Sequence, residues 1–345
     1  MATQDDSGVP FSVVHDQQQF RLVELPPEIL ALIDSPNASN APILSVKSQA
    51  PPTTSSAPSS KPAYAVLCTP TQTYQLRQVQ TSNSVFVTKC VLTSHGDSMP
   101  VPGVSAIATC PTTLELHPVA GTAIPYLKEA LPLYDMADDD MVDAAGNGNS
   151  KSKVFSDVPL SDAQCELGWR ELIAFEFAGS SFKPSAVTLL KLWKSINVAA
   201  LAEGINLNKQ FLTEDLLKAI DDEGFPVDLF YSLLSRLATD DHVGDTTWTS
   251  IDRRVTVSFV GRTLLASESS IQDLHTSVFV ESWKDILPEL WRDDAKLDAI
   301  KDLYILPTST TISIKGGSDG FGEGSKAAGS ASRKWHERFA RARRR

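Results

Sequence analysis

The stretch AYAVLCTPTQTYQLRQVQTSNSVFVT, residues 63 to 88, decides the fold. Tyr64-Ala65-Val66-Leu67-Cys68 is apolar throughout, which suits a short strand buried on both faces. Thr69-Pro70-Thr71-Gln72 supplies a turn. Tyr74-Gln75-Leu76-Arg77 then alternates apolar with polar, the two-residue period that sends side chains to opposite faces of a sheet. Val79 falls on the other parity from Tyr74 and Leu76, so a bulge or sharp twist is expected near Gln78. Thr81-Ser82-Asn83 reads as a second turn and Ser84-Val85-Phe86-Val87-Thr88 as the third strand of a meander. An apolar edge strand left open recruits another chain, so this sheet must close on itself or be completed by a partner. Tyr64, Val66, Leu67, Tyr74, Leu76, Val85 and Val87 are the residues expected to form that interface.

Outward from this stretch, Phe20 to Leu25 reads as a strand, Pro26-Pro27-Glu28 opens a short helix through Ile33, and Ile43 to Lys47 reads as another strand. Residues 48 to 62 are mostly Pro, Ser, Thr and Ala, a composition that cannot bury a core, and are expected to be a mobile loop. Ile107 to Cys110 and Leu114 to Leu116 supply the last strands. Five or more short strands at close spacing predict a β-barrel or barrel half over residues 1 to 117. Ile124 to Tyr134 reads as an amphipathic helix, and residues 135 to 153, with Asp138-Asp139-Asp140 beside several glycines, as a solvated linker rather than a metal site.

Beyond the linker the pattern turns helical. Ser161-Asp162-Ala163-Gln164 is a capping-box start, and Leu172 to Phe177 is strand-like. Ser185 to Leu201, Thr213 to Ile220 with Thr213 as N-cap, and Val227 to Leu237 after Pro226 read as helices, with Trp248 to Ile251 as a short strand. Helix, helix, then strand is the order of a winged helix. Val278 to Leu287, Leu297 to Leu303 and Thr310 to Ile314 repeat it. Gly316 to Ser332 reads as a tether and Trp335 to Ala342 as a basic helix. Trp169, Trp193, Trp248, Trp283 and Trp291 lie among leucines and are assigned to the core rather than to base stacking.

The 31 basic and 42 acidic residues give a net charge of -11, unevenly placed. Arg333, Lys334, Arg338, Arg341, Arg343, Arg344 and Arg345 stand against the single acid Glu337, leaving 24 basic and 41 acidic residues before them. A body near -17 thus carries an end near +6, the asymmetry of an interaction tail, and those seven residues are the candidate DNA contacts. Cys68, Cys90, Cys110 and Cys165 show neither a C-x-x-C pair nor a secretory spacing, so reduced thiols inside the cell are expected. The N-terminus lacks a basic and apolar signal segment, and no apolar run approaches a membrane span, so no membrane partner is expected. The glycines from Gly316 to Gly324 contain neither G-x-G-x-x-G nor a G-K-[ST] ending. The histidines form no H-x-x-x-H pair, and G-x-S-x-G is absent. No catalytic residue, metal or cofactor is expected, and the chain reads as not an enzyme.

The run YQLRQVQTSNSVFV (Tyr74 to Val87) resembles the signature of the DCC-type sister chromatid cohesion proteins. LSDAQCELGWRELIAFEF, LLKLWKSINVAALAEGINL and FVESWKDILPELWRDD follow in the same order, so the resemblance spans nearly the whole chain. It implies that Arg253 to Leu265 is a helix, although Val255, Thr256 and Val257 favour a strand on propensity; Val257, Val260 and Leu264 at i, i+3, i+7 and Asp252 as cap agree. The fold class it implies is multidomain α+β: a barrel half completed by partner subunits over 1–117, then three tandem winged helices over 118–183, 184–267 and 268–345. It also implies a non-catalytic subunit of the cohesion-type replication factor C clamp loader, nuclear and chromatin-associated. Its implied partners are a small partner subunit, the C-terminus of the large ATPase subunit, the catalytic subunit of polymerase epsilon, DNA and, indirectly, the sliding clamp. From a different class, a tandem winged-helix transcription regulator would bind duplex DNA alone with sequence preference.

Overall fold

In the computed structural model, residues 8–34, 43–49, 64–93, 101–136, 148–239, 248–268 and 274–315 are described. The fold is mixed α+β and divides into two compact units, Met1–Gly121 with Pro159–Gln164, and Thr122–Val158 with Cys165–Arg345.

The first unit is a curled half-barrel sheet. β1 (Phe11–Val13) and β2 (Leu22–Glu24) run parallel to β6 (Val101–Pro118), which pairs antiparallel with β5 (Thr73–Thr93). β4 (Tyr64–Cys68) and β3 (Ser45–Gln49) continue the sheet beyond β5. The expected meander is corrected here: the segments read as two strands on either side of Thr81-Ser82-Asn83 are one strand, and the last two expected strands merge into β6. Pro111 supplies the reason. It has no N–H for the ladder, and Thr81 to Ser84 bulge opposite it, between the pairs Gln80↔Thr112 and Val85↔Cys110. Polar residues that read as a turn therefore mark a bulge inside a long hairpin. Of the loop expected over 48 to 62, Ser48 and Gln49 finish β3, and 50–62 lie outside the described residues.

Helix α1 (Pro27–Ile33) packs Ile29 against Tyr74 and Leu116, with Leu44, Leu67 and Leu76 around them. The other anchor of the sheet comes from residues 159–164. Lys47 Nζ donates to the carbonyl of Leu160 at 2.8 Å, and Ala163 N to that of Pro70 at 3.0 Å. The capping box forms as expected, Gln164 N donating to Ser161 Oγ and Ser161 N to Gln164 Oε1, both at 3.3 Å. The Thr73 hydroxyl then donates to the same Oε1 at 2.6 Å and accepts from Ser161 N at 2.8 Å, while Gln164 Nε2 reaches the carbonyls of Val119 and Gly121. Thr73 and Ser161 are fully buried. Gln164→Ala strands their hydroxyls, and buried polar groups left unpaired cost about 1–3 kcal/mol. The melting temperature of the variant should fall by several degrees, and a fall no larger than for Glu166→Ala, on the exposed side of the same helix, would contradict this role.

The second unit is mainly helical, with short strands between the helices. α2 (Ile124–Ala130), β7 (Leu133–Tyr134), α3 (Lys151–Asp157), α4 (Asp162–Glu171), β8 (Phe175–Phe177) and β9 (Ser180–Pro184) come first, in strand order β7-β9-β8. α5 (Ala186–Ala202), β10 (Phe211–Leu212), α6 (Thr213–Ala219), α7 (Val227–Leu237) and β11 (Trp248–Thr249) follow, with β10 antiparallel to β11. α8 (Arg253–Ser267), α9 (Thr276–Asp285), two 3-10 turns and the hairpin β12 (Tyr304–Ile305) with β13 (Ser313–Ile314) complete it.

Three local expectations change. The helix expected through Tyr134 stops at Ala130, because Pro132 cannot continue it, and β7 follows. Thr213 is the first helical residue rather than the cap, and its hydroxyl bonds that of Thr249 at 2.6 Å across β10 and β11. Residues 148 to 153 are not linker: Gly148 N donates to Ser180 Oγ and Lys151 N to Glu176 Oε1, and Lys151 Nζ sits over the rings of Phe155 and Trp169 as α3 begins.

One continuous core draws on residues from Tyr134 to Ile312 along the second unit. Trp193 stacks on Trp291 at 6.4 Å, and its Nε1 donates to the carbonyl of Ile286 at 2.9 Å. α8 is a helix despite its valines and threonines because Asp252 caps it, accepting from Arg254 N and Val255 N, and because it is buried on most sides. Tertiary burial outweighs a propensity difference of a few tenths of a kcal/mol per residue. Gly261 lets the ring of Trp283 lie on this helix. A Cβ there would stand 2.5 Å from Trp283 Cε2, and Trp283 Nε1 donates to the carbonyl of Val257 at 3.1 Å. Gly261→Ala should therefore cost about 1–3 kcal/mol in spite of its better helix propensity. Thermal unfolding followed by circular dichroism would show the loss, and a variant as stable as wild type would refute the contact.

Candidate partner-binding edge

The edge is built by the length of β5. β6 is flanked on its far side by β1 at Val104–Ala106 and by β2 at Thr113–Glu115. β4 meets β5 only at Thr73, Tyr74 and Gln75. Among the described residues, the outer edge of β5 from Leu76 to Thr93 therefore has no paired strand. At about 3.3 Å per residue that edge is roughly 60 Å long, with alternate N–H and C=O groups pointing out of the sheet. Proteins blunt such edges with charge, proline or a cover. From Gln78 to Leu92 the one charged residue is Lys89.

The expected interface residues divide. Val66 and Tyr74 are buried, 1% and 6% exposed, and Leu67 and Leu76 pack around Ile29 under α1. Val66 and Tyr74 are thus part of the unit's own core, and the half-buried Leu67 and Leu76 line it, because the short register β4–β5 sets them beside α1. The backbone of Tyr64 pairs with Gln49 in β3. Val85 is 48% exposed and Val87 half-buried on the distal half of β5, where a partner could reach them. Sequence reasoning missed their neighbours. Phe86 meets Phe11 edge to face at 6.3 Å, both remain about half exposed, and Val13 and Leu92 are exposed as well. The alternation Phe11-Ser12-Val13 was the signal for β1, but three residues are too short a run to read as a strand on period alone.

The chemistry around the edge is quiet. Burial pushes the Cys68 thiol up, against a hydrogen-bond partner in Thr73 that lowers it, so the thiol stays protonated. Among the described residues no group of three or more His, Cys, Asp or Glu is placed to hold a metal ion, and no helix is long and apolar enough to cross a membrane. Four of the five tryptophans assigned to the core are buried. Trp248 is the exception at 49% exposed, because β11 turns Thr249 inward instead. The candidate DNA contacts Arg333, Lys334, Arg338, Arg341, Arg343, Arg344 and Arg345 lie outside the described residues, as do the tether, the basic helix and Asp138–Asp140.

The protein is of the mixed α+β class, with a curled half-barrel sheet whose longest strand has, among the described residues, an unpaired outer edge, and a mainly helical second unit. The chain belongs to the family of sister chromatid cohesion protein Dcc1, whose model matches residues 20–315. Its role is accordingly in sister chromatid cohesion. A comparison with curated proteins gave no match.

Proposed function

We propose that the chain is a non-catalytic subunit of an alternative replication factor C complex. In this reading it helps load or unload the sliding clamp at replication forks in the nucleus. The open edge of β5 carries the reading: strands of a small partner subunit and of the C-terminus of the large ATPase subunit add to it, main-chain bonds giving affinity and the apolar surface at Phe86 and Leu92 giving register. The repeats of the second unit are three winged helices that reach the catalytic subunit of polymerase epsilon, and the basic C-terminus adds contact to DNA. The order helix, strand, two helices, hairpin and the strand order β7-β9-β8 support that assignment for the first repeat.

Co-purification from nuclear extract, quantified by mass spectrometry, tests the reading. Tagged wild type should recover clamp-loader ATPase subunits at near-stoichiometric levels, and a variant with Phe86→Lys and Leu92→Lys should lose at least nine-tenths of them. Recovery of a transcription complex without clamp-loader subunits would overturn it.

A further inference from the structure

An open groove of about 530 Å³ lies in the second unit between the C-terminal half of α5, the turn that follows it, and the segment after α9. Ala200, Leu207 and Leu287 form a buried floor, whereas Val198, Leu201 and Leu290 on the walls are 66%, 85% and 68% exposed. A concavity with so many exposed apolar side chains is a candidate binding surface. Asp285 and Glu289 stand on its rim, and Arg292 is the single basic residue of its lining.

The chain itself contains a segment of matching chemistry. Residues 316 to 345 follow the last described residue, Lys315, and lie beyond the part matched to the family. In them Trp335 and Phe339 stand four apart, the spacing of side chains that share a face when a segment is helical. Lys334, Arg338, Arg341 and Arg345 follow at spacings of four, three and four, a cationic stripe beside the apolar one. The residues between Lys315 and Trp335 can span up to roughly 60 Å, several times the radius of gyration of about 16 Å expected for a unit of this length.

We propose that this groove is occupied in cis by the C-terminus of the same chain, with Trp335 and Phe339 seated against Val198, Leu201 and Leu290, and the arginine stripe beside Asp285 and Glu289. Two aromatic rings bring the area, and the acidic rim selects a basic segment in a chain whose remainder is acidic. High intrinsic affinity is unnecessary. Attachment through a connection of this length gives an effective concentration on the order of 1 mM, so a segment binding with a free Kd of about 0.1 mM would be docked roughly ten to one.

Photo-crosslinking in the full chain tests this. A benzophenone side chain introduced at position 335 replaces one large aromatic by another, and the products are mapped by mass spectrometry. Crosslinks within one chain to residues 197–208 and 285–292 are expected. Leu201→Glu should reduce their yield at least fivefold without lowering the melting temperature, since Leu201 is 85% exposed. Crosslinks that land elsewhere, a yield unaffected by Leu201→Glu, or no crosslink at all would overturn the proposal. So would crosslinks between differently tagged copies, which would assign the groove to a second molecule.

Discussion

A chain carrying Phe86→Lys and Leu92→Lys should remain monomeric at concentrations where the wild type, expressed without partners, self-associates through its open edge. The argument starts from exposure. Phe86 is 48% and Leu92 76% exposed, so pairing with another strand would bury about half of one side chain and most of the other. Full burial of such a side chain is worth about 1.5–3 kcal/mol; these fractions give roughly 2–4 kcal/mol together, a shift of about 30- to 1,000-fold in association. Lysine on an edge adds a direct barrier to strand addition. Because neither side chain contributes to the core around Ile29, Tyr74 and Leu116, the melting temperature should be unchanged. Sedimentation velocity across a concentration series would decide the matter: identical association of both proteins would place the self-contact elsewhere. Leu67→Asp is not an equivalent probe. Leu67 packs against that core, so its loss would unfold the sheet and mimic failed assembly.

The distinction between those two substitutions shows where the sequence was legible. Local signals read correctly: the alternation at Tyr74 to Arg77, the capping box at Ser161, the start of α7 after Pro226, and Asp252 as the cap of α8. Each depends on residues within one turn or one strand. Pairing partners were not legible. Thr81-Ser82-Asn83 is a turn by composition, and only Pro111, nearly thirty residues away, explains why the chain runs through it as a bulge. Burial under α1 was not legible either: Tyr74 is buried and Leu67 and Leu76 pack beside Ile29, while Phe86 and Leu92 on the distal half of β5 are exposed. Most helices of the second unit were visible from their spacing, but their shared core was not, since Trp193 meets Trp291 across residues far apart in sequence.

Binding of duplex DNA by the full chain should weaken by roughly a thousandfold when salt rises from about 50 to 200 mM, if about five or six of the C-terminal basic residues reach phosphates. The charge distribution motivates this. Before Arg333 the chain holds 24 basic and 41 acidic residues, so attraction to DNA is expected from the end that carries seven basic residues and one acid. Arginine makes bidentate phosphate contacts, and each contact releases condensed counterions, which makes log affinity fall linearly with log salt by about 0.9 per phosphate. Replacing Arg341, Arg343, Arg344 and Arg345 by alanine should flatten that slope by about three to four units and leave any sequence preference unchanged. A nuclear-import signal alone would behave differently: the quadruple variant would bind DNA normally in vitro and be misplaced in the cell. Fluorescence anisotropy of both proteins across salt separates the two, and an unchanged slope would remove DNA contact from this strip.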